Sequence, residues 1–228
     1  VSATTQLKLV AADGKKYNTD MLDSDGVTVL AKNFPNNRAS IFLDWFLYCD
    51  TSIDGQSKKK AYTLFESHLI NEFEIGTTKG LQQIHAYLFG GLYDFAGQIR
   101  VKSISKGGYP FVYAQHLKNT LEKIDTLPQT TLNEIILKYT EMNKAHPLME
   151  GNGRSTRIWL DMMLKKELKK CVDWSKIKKE QYMNAMIIST VDYTVALQLI
   201  TNALTTKIND REMYMKGIDY SYYYEENN

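Results

Sequence analysis

The chain has 228 residues, 43% of them apolar and 24% charged, with a net charge of +2. That composition supports one large soluble domain, or a domain with an appendage, and excludes an overall field that would draw it to nucleic acid or an anionic membrane. No apolar run reaches the roughly 18–20 residues of a spanning helix, no basic-then-apolar start marks a secretory signal, and two cysteines, Cys49 and Cys171, are too few for a disulfide framework.

Both cysteines are expected as buried thiols, and the expected location is the cytoplasm, with no membrane partner. Val1 in place of Met is expected to follow a segment removed upstream. Leu7 to Val10 alternates apolar and polar ahead of Asp13-Gly14, which predicts a strand entering a hairpin. Asn33 to Asn37, with Pro35, breaks the chain. Ala39 to Cys49 carries Phe42, Trp45, Phe46 and Cys49 at helical spacing. Asp54-Gly55-Gln56-Ser57 is read as the next break, followed by Lys58, Lys59 and Lys60 as a solvated helix start. A boundary is therefore placed near Gly55, with residues 1–56 as a small α+β appendage.

From Ala61 the pattern is helical. Ala61 to Phe73 has Leu64, Phe65, His68 and Leu69 on one stripe, and Thr78 is placed to cap a helix over Gly80 to Leu88. Gln98 to Ser105 predicts a strand, Lys106-Gly107-Gly108 a turn, and Tyr109 to Tyr113 the returning strand. Gln115 to Leu127 and Thr131 to Ala145 predict two helices, the second ended at His146 because the residue before Pro147 is pushed out of the helical region. Helices are predicted from Gly153, over Trp174 to Ile188, over Tyr193 to Leu204, and over Arg211 to Glu226. The fold class is mainly α with one β-hairpin.

The chemistry concentrates in His146-Pro147-Leu148-Met149-Glu150-Gly151-Asn152-Gly153-Arg154-Ser155-Thr156-Arg157. The amides of Gly151, Asn152 and Gly153 fall at a helix N-terminus, whose unpaired donors bind phosphate. The flanking glycines let the backbone form an anion-holding nest. Arg154 and Arg157, three apart, project from nearly one face and suit further phosphates. Two cations at a helix start oppose its dipole, which calls for an anion to neutralise. Glu150 can hold Mg²⁺ beside phosphate oxygens, and His146 can take a proton at neutral pH.

This run resembles the signature of the Fic family, H-x-F-x-[D/E]-G-N-G-R-x-x-R. Gly90-Gly91-Leu92-Tyr93-Asp94-Phe95-Ala96-Gly97-Gln98-Ile99-Arg100 and Ser105-Lys106-Gly107-Gly108 resemble that family's flap and its approach, and the likeness extends from about Lys60 to the C-terminus. The resemblance implies a Fic-type helical bundle over residues 57–210 and transfer of AMP from ATP to a protein hydroxyl. Position by position it implies His146 as base and Glu150 as the Mg²⁺ ligand. Gly151, Asn152 and Gly153 become the anion hole, Arg154 the β-phosphate ligand and Arg157 the γ-phosphate ligand. Leu148 stands where the family usually has Phe, and is expected to point into the core. Gly153 stands where the family's kinase-like branch has Lys, which favours nucleotide transfer.

Ser221-Tyr222-Tyr223-Tyr224-Glu225 resembles the family's inhibitory S/T-x-x-x-E motif, which implies an inhibitory helix over residues 211–228, with Ser221 and Glu225 on one face and Glu225 paired to Arg157. The same class implies self-assembly into a homo-oligomer and Tyr222, Tyr223 and Tyr224 as self-modification candidates. The hairpin Ile104 to Val112, including Ser105, Lys106, Gly107 and Gly108, is the expected docking edge for an extended target. The expected partners are proteins with an exposed hydroxyl: a topoisomerase subunit, a small GTPase or the chain itself. Gln6 to Trp45 is similar to the N-terminal domain of phage BRO-type antirepressors and of damage-inducible protein D. That leaves a nucleic-acid partner open, although the charge balance argues against strong DNA affinity. Two alternatives stay open beside adenylyl transfer: a regulatory or DNA-associated nucleotide sensor, and a de-AMPylating enzyme in which Glu225 orients water.

Overall fold

A computed structural model describes residues 4–10, 15–22, 26–27, 29–30, 33, 51–106 and 108–225. The helix expected over 39–49, the break over 34–37, Gly107 and Glu226 lie outside those residues. The chain divides into two compact units, Val1–Thr51 and Ser52–Asn228. In the first, β1 (Thr4–Val10) pairs antiparallel with β2 (Lys16–Leu22), in the register Thr4 to Leu22 and Val10 to Lys16.

The second unit is helical. Helix α1 (Ile53–Glu66) begins where Ser52 Oγ accepts from Gly55 N–H at 3.0 Å. The break read over 54–57 is therefore inside a helix. A capping serine outweighs the turn propensity of Asp-Gly, because Gly55 and Ser57 are buried and held by packing. A short 3₁₀ turn, Leu69–Glu72, leads to α2 (Thr78–Phe89), which is capped by Thr77 and not by Thr78. The predicted long hairpin shrinks to β3 (Ser105–Lys106) and β4 (Tyr109–Pro110). The stretch 98–104 is irregular, because its hydrogen bonds run to other parts of the chain.

Helices α3 (Ala114–Thr126) and α4 (Leu132–Ala145) follow, the latter opened by a capping box between Thr131 and Glu134. Helix α5 (Asn152–Leu168) is the axis of the unit. It packs against α2 and α4 and buries most of its length, with Trp159, Leu160, Met163 and Leu164 fully enclosed. The predicted helix from Trp174 starts late. β5 (Cys171–Val172) and a 3₁₀ turn (Trp174–Lys176) precede α6 (Lys179–Ile188). Asp161 explains the delay, since its carboxylate accepts from Val172 N–H at 2.8 Å and Trp174 Nε1–H at 3.1 Å. Helix α7 (Thr194–Ala203) leads to β6 (Leu204–Thr205), which pairs with β5, and α8 (Arg211–Tyr223) closes the chain against α1, α5 and the Trp174 turn. Cys171 is buried, and burial raises its thiol to about 11. Among the described residues no helix is long and apolar enough to cross a membrane.

Leu148 is fully buried, so the loop between α4 and α5 is pinned to the core from inside. Leu148→Ala should cost about 2–5 kcal/mol through the cavity it leaves, read as a lower urea midpoint at an unchanged denaturant slope.

Candidate functional site

The α4–α5 loop is held by groups that leave its polar faces open. Asn152 clamps it: Oδ1 accepts from Leu148 N–H at 2.9 Å, and Nδ2 donates to Leu148 O at 2.7 Å. Its side chain is thus structural, and only its backbone is free to serve an anion. Gly151 sits at φ +73°, and a Cβ there would stand 2.5 Å from the Phe89 ring. Both constraints demand glycine.

Two residues missed at the sequence level hold this loop. His85 is fully buried; its Nδ1 accepts from Gly97 N–H at 2.8 Å, which leaves Nε2–H to donate to Glu150 O at 3.0 Å. Burial lowers its pKa to about 4, so it is a neutral bridge with a fixed tautomer. The other is Asp54, near the start of α1, which pairs with Arg154. Periodicity gave no signal for either, because each partner is far away in sequence.

His146 ends α4 in the left-handed region, at φ +47°. Its ring is half-buried, lies flat on Phe111 with centroids 3.7 Å apart, and places Nδ1 at 3.4 Å from Asn143 O. A carbonyl can only accept, so this contact puts the proton on Nδ1 and leaves Nε2 as a lone pair. Burial lowers the imidazole pKa to about 4. Phe111 belongs to the returning limb of the hairpin, so the predicted docking edge rests directly on the predicted base.

The two arginines are buried, and carboxylates meet both. Arg154 donates to Glu150 Oε1 at 2.9 Å and to Asp54, with its guanidinium 4.9 Å from the Phe89 centroid and 5.6 Å from that of Tyr222. Its Nε–H has no partner among the described residues. Glu150 also accepts from Gly151 N–H at 2.9 Å, so one of the three predicted anion-hole amides is engaged by the predicted metal ligand. Arg157 donates through Nε to Ser221 Oγ at 2.7 Å, and through Nη2 to Ser221 O at 2.6 Å and Glu225 Oε1 at 2.7 Å. Tyr182 and Tyr224 flank it, each ring within 5.4 Å of the guanidinium carbon.

Ser221 and Glu225 thus converge on Arg157, although α8 ends at Tyr223 and Glu225 lies in the turn beyond it, not on the helical face that the four-residue spacing implied. Burial works to raise the Glu225 carboxyl. Arg157 outweighs it, with help from Lys106 and Arg154, and the group sits at about 2. Lys106 reaches Glu225 Oε2 from the hairpin at 3.4 Å. Of the tail tyrosines, Tyr222 is buried and donates to Ser57 Oγ at 3.0 Å, and Tyr224 is buried with its hydroxyl on Ile177 O at 2.6 Å. Tyr223 is exposed. Among the hairpin residues, Ser105, Lys106 and Gly108 are exposed, and Ile104 and Val112 are half-buried.

Comparison with known proteins points the same way. The Fic/DOC family model matches residues 76–164. Protein adenylyltransferase VbhT of Bartonella schoenbuchensis is 30% identical over 141 residues, covering 53% of this chain and 29% of that protein. The probable protein adenylyltransferase y4lH of Sinorhizobium fredii is 29% identical over 118 residues, covering 46% of this chain and 61% of that protein. The chain thus spans less than two thirds of the length of either relative. Among solved structures, BepC of Bartonella tribocorum with bound AMPPNP aligns at TM-score 0.57 and 20% identity, over 67% of this chain and 84% of that one. The N-terminal Fic domain of a VirB-translocated effector from Bartonella sp. AR 15-3 aligns at TM-score 0.58 and 17% identity, over 69% and 84%. The structural likenesses are of fold, and the family match spans residues 76–164, which include the loop between α4 and α5.

Proposed function

We propose that this chain transfers AMP from ATP to a protein hydroxyl, with pyrophosphate leaving, and that its own tail holds it idle. One observation carries the reading. The Glu225 carboxylate lies on the bare start of α5, so close that a Cβ on Gly153 would stand 2.0 Å from Oε1, and the same oxygen is gripped by Arg157. A carboxylate oxygen there stands in for a phosphate oxygen, and the anion site it fills is the one a triphosphate's end needs.

In the released state, Arg157 takes the γ-phosphate in place of Glu225. Arg154 exchanges Asp54 and Glu150 for the β-phosphate, and the amides of Gly151, Asn152 and Gly153 hold the α-phosphate side. These groups supply position and charge neutralisation, which is most of what such a transfer requires. His146 Nε2 removes the proton from the attacking hydroxyl. Glu150 fits a Mg²⁺ ion: it is exposed at the mouth of the loop, and among the described residues no group of three or more His, Cys, Asp or Glu side chains could complete a metal cage. An ion there would draw its remaining ligands from phosphate oxygens and water, and would offset charge on the leaving pyrophosphate. The hairpin edge registers an extended segment of the target by backbone pairing. Targets of this chemistry include other proteins and the chain itself. For self-transfer, Tyr223 is the exposed residue of the three candidates, whereas the hydroxyls of Tyr222 and Tyr224 are committed to buried contacts.

The hold has a defined pH range. Glu225 titrates at about 2 in the folded chain, against about 4.3 unfolded. A depressed carboxyl contributes stability above the unfolded value, and that contribution fades as pH falls through the folded one. The tail contact is therefore constant across neutral pH.

Glu225→Gly should raise AMP incorporation from labelled ATP, and adding His146→Ala should lower it again by about 10²–10⁴-fold. Absence of incorporation by Glu225→Gly, into itself or into lysate proteins, would refute the reading. Tryptic mapping of that variant after incubation with ATP and Mg²⁺ should place the AMP adduct on Tyr223 ahead of Tyr222 and Tyr224. Hydrogen exchange in the tail, corrected for intrinsic rates, should stay flat between about pH 8 and 5 and rise only in stronger acid.

A further inference from the structure

Arg100 is a buried cation outside the signature loop, 4% exposed, with no carboxylate among its hydrogen-bond partners. It donates only to backbone carbonyls. Nε reaches His146 O at 2.7 Å and Nη1 reaches Lys102 O at 2.7 Å, while Nη2 reaches both Val112 O at 2.5 Å and Ala145 O at 3.0 Å. Its own N–H donates to Pro147 O at 2.9 Å. Lys102 and Val112 lie on the two limbs that lead into and out of the hairpin. Ala145 and His146 are the carbonyl end of α4, where unpaired acceptors and the helix dipole favour a cation. Further bonds bind the same three segments: Val112 N–H to Lys144 O at 3.3 Å, and Ala114 N–H to Ser103 Oγ at 3.1 Å.

We infer that Arg100 is a positioning residue that joins the hairpin to the end of α4, so that the docking edge and the His146 imidazole are held as one unit. Two features at His146 need such support. Its left-handed backbone, at φ +47°, costs on the order of 1–3 kcal/mol in a residue other than glycine, and the Nε bond to its carbonyl opposes the return to ordinary geometry. Its ring lies flat on Phe111, the chain neighbour of Val112, whose carbonyl Arg100 holds. The planar five-donor fork of Arg spans carbonyls from three segments, whereas a lysine ammonium is a point donor that cannot span the same arc. Arg100 touches neither the nucleotide loop's amides nor the two phosphate-binding arginines. Its effect should therefore fall on the attack of the hydroxyl and not on nucleotide capture.

This inference rests on the proposed adenylyl transfer for its rate consequence, and its structural content is testable separately. In the full chain carrying Glu225→Gly, Arg100→Lys and Arg100→Gln should each lower kcat on the order of 10²-fold, as a misplaced base does, while the Kd for ATP stays within about twofold. In the nitrogen NMR spectrum at neutral pH, the His146 ring should be the Nδ1–H tautomer in the parent chain and a tautomer mixture in both variants. A second measurement covers variants that fail to fold. In the unsubstituted chain, Arg100 Nε–H should exchange slowly with solvent and show a hydrogen-bond coupling to the His146 carbonyl carbon. Fast exchange without that coupling would overturn the inference, as would variants with an unchanged kcat and an unchanged imidazole tautomer, or with a weakened ATP Kd as the main effect. If Glu225→Gly alone transfers no AMP, the functional reading fails, and the tautomer and exchange measurements still decide the role of Arg100.

Discussion

A guanidinium removed from water has to find acceptors, and in this chain Arg157 finds a charged one by borrowing the tail. Its side chain is 2% exposed and lies between Tyr182 and Tyr224, where an unpaired charge would be costly. Ser221 and Glu225 meet that demand from the end of the chain. A terminal phosphate would meet it equally well in chemical terms. On the proposed reading, the same buried cation that docks the tail would hold the end of a polyphosphate. On that reading the docked tail and a fully bound triphosphate would compete, because both answer one electrostatic need. Gly153 has no Cβ to keep the Glu225 carboxylate away from the start of α5.

Around the Arg157–Glu225 contact the chain keeps the rest of the site rigid with neutral groups. Asn152 closes the loop on its own backbone, His85 ties the Glu150 carbonyl to Gly97 as an uncharged bridge, and Leu148 anchors the loop in the core. None of these contacts uses a group that phosphate would need. The charged groups facing the site, Glu150, Asp54 and Glu225, make contacts that an incoming ligand can replace. Division of labour between fixed neutral bonds and exchangeable ionic ones lets a loop be preorganised and still open. Arg154 shows the second kind most clearly, with carboxylates from α1 and from its own loop gathered on one buried guanidinium.

The hairpin belongs to this system and is not an addition to its surface. Phe111 lies on His146, Lys106 reaches Glu225, and Arg100 ties both limbs to the end of α4. The hairpin region therefore touches both His146 and Glu225. A strand pair as short as Ser105–Lys106 with Tyr109–Pro110 has little stability of its own. It is held by what lies beneath it.

The sequence by itself determined the helices with a clear apolar stripe, the hairpin's place, and the loop between α4 and α5, because spacing, capping and glycine placement are local and leave a local trace. The pairing of Glu225 with Arg157 was legible through its motif, whereas the two bonds from Arg157 to Ser221 were not. Tertiary structure alone decided the rest. It made Asp54 part of a helix and a partner of Arg154, 100 residues away; it turned His85 into a bridge and Arg100 into a clamp; and it left Tyr223 exposed between two buried tyrosines. Each of these depends on which distant atoms fill a residue's hydrogen-bond or packing shell, and distant atoms impose no periodicity that a linear reading could find.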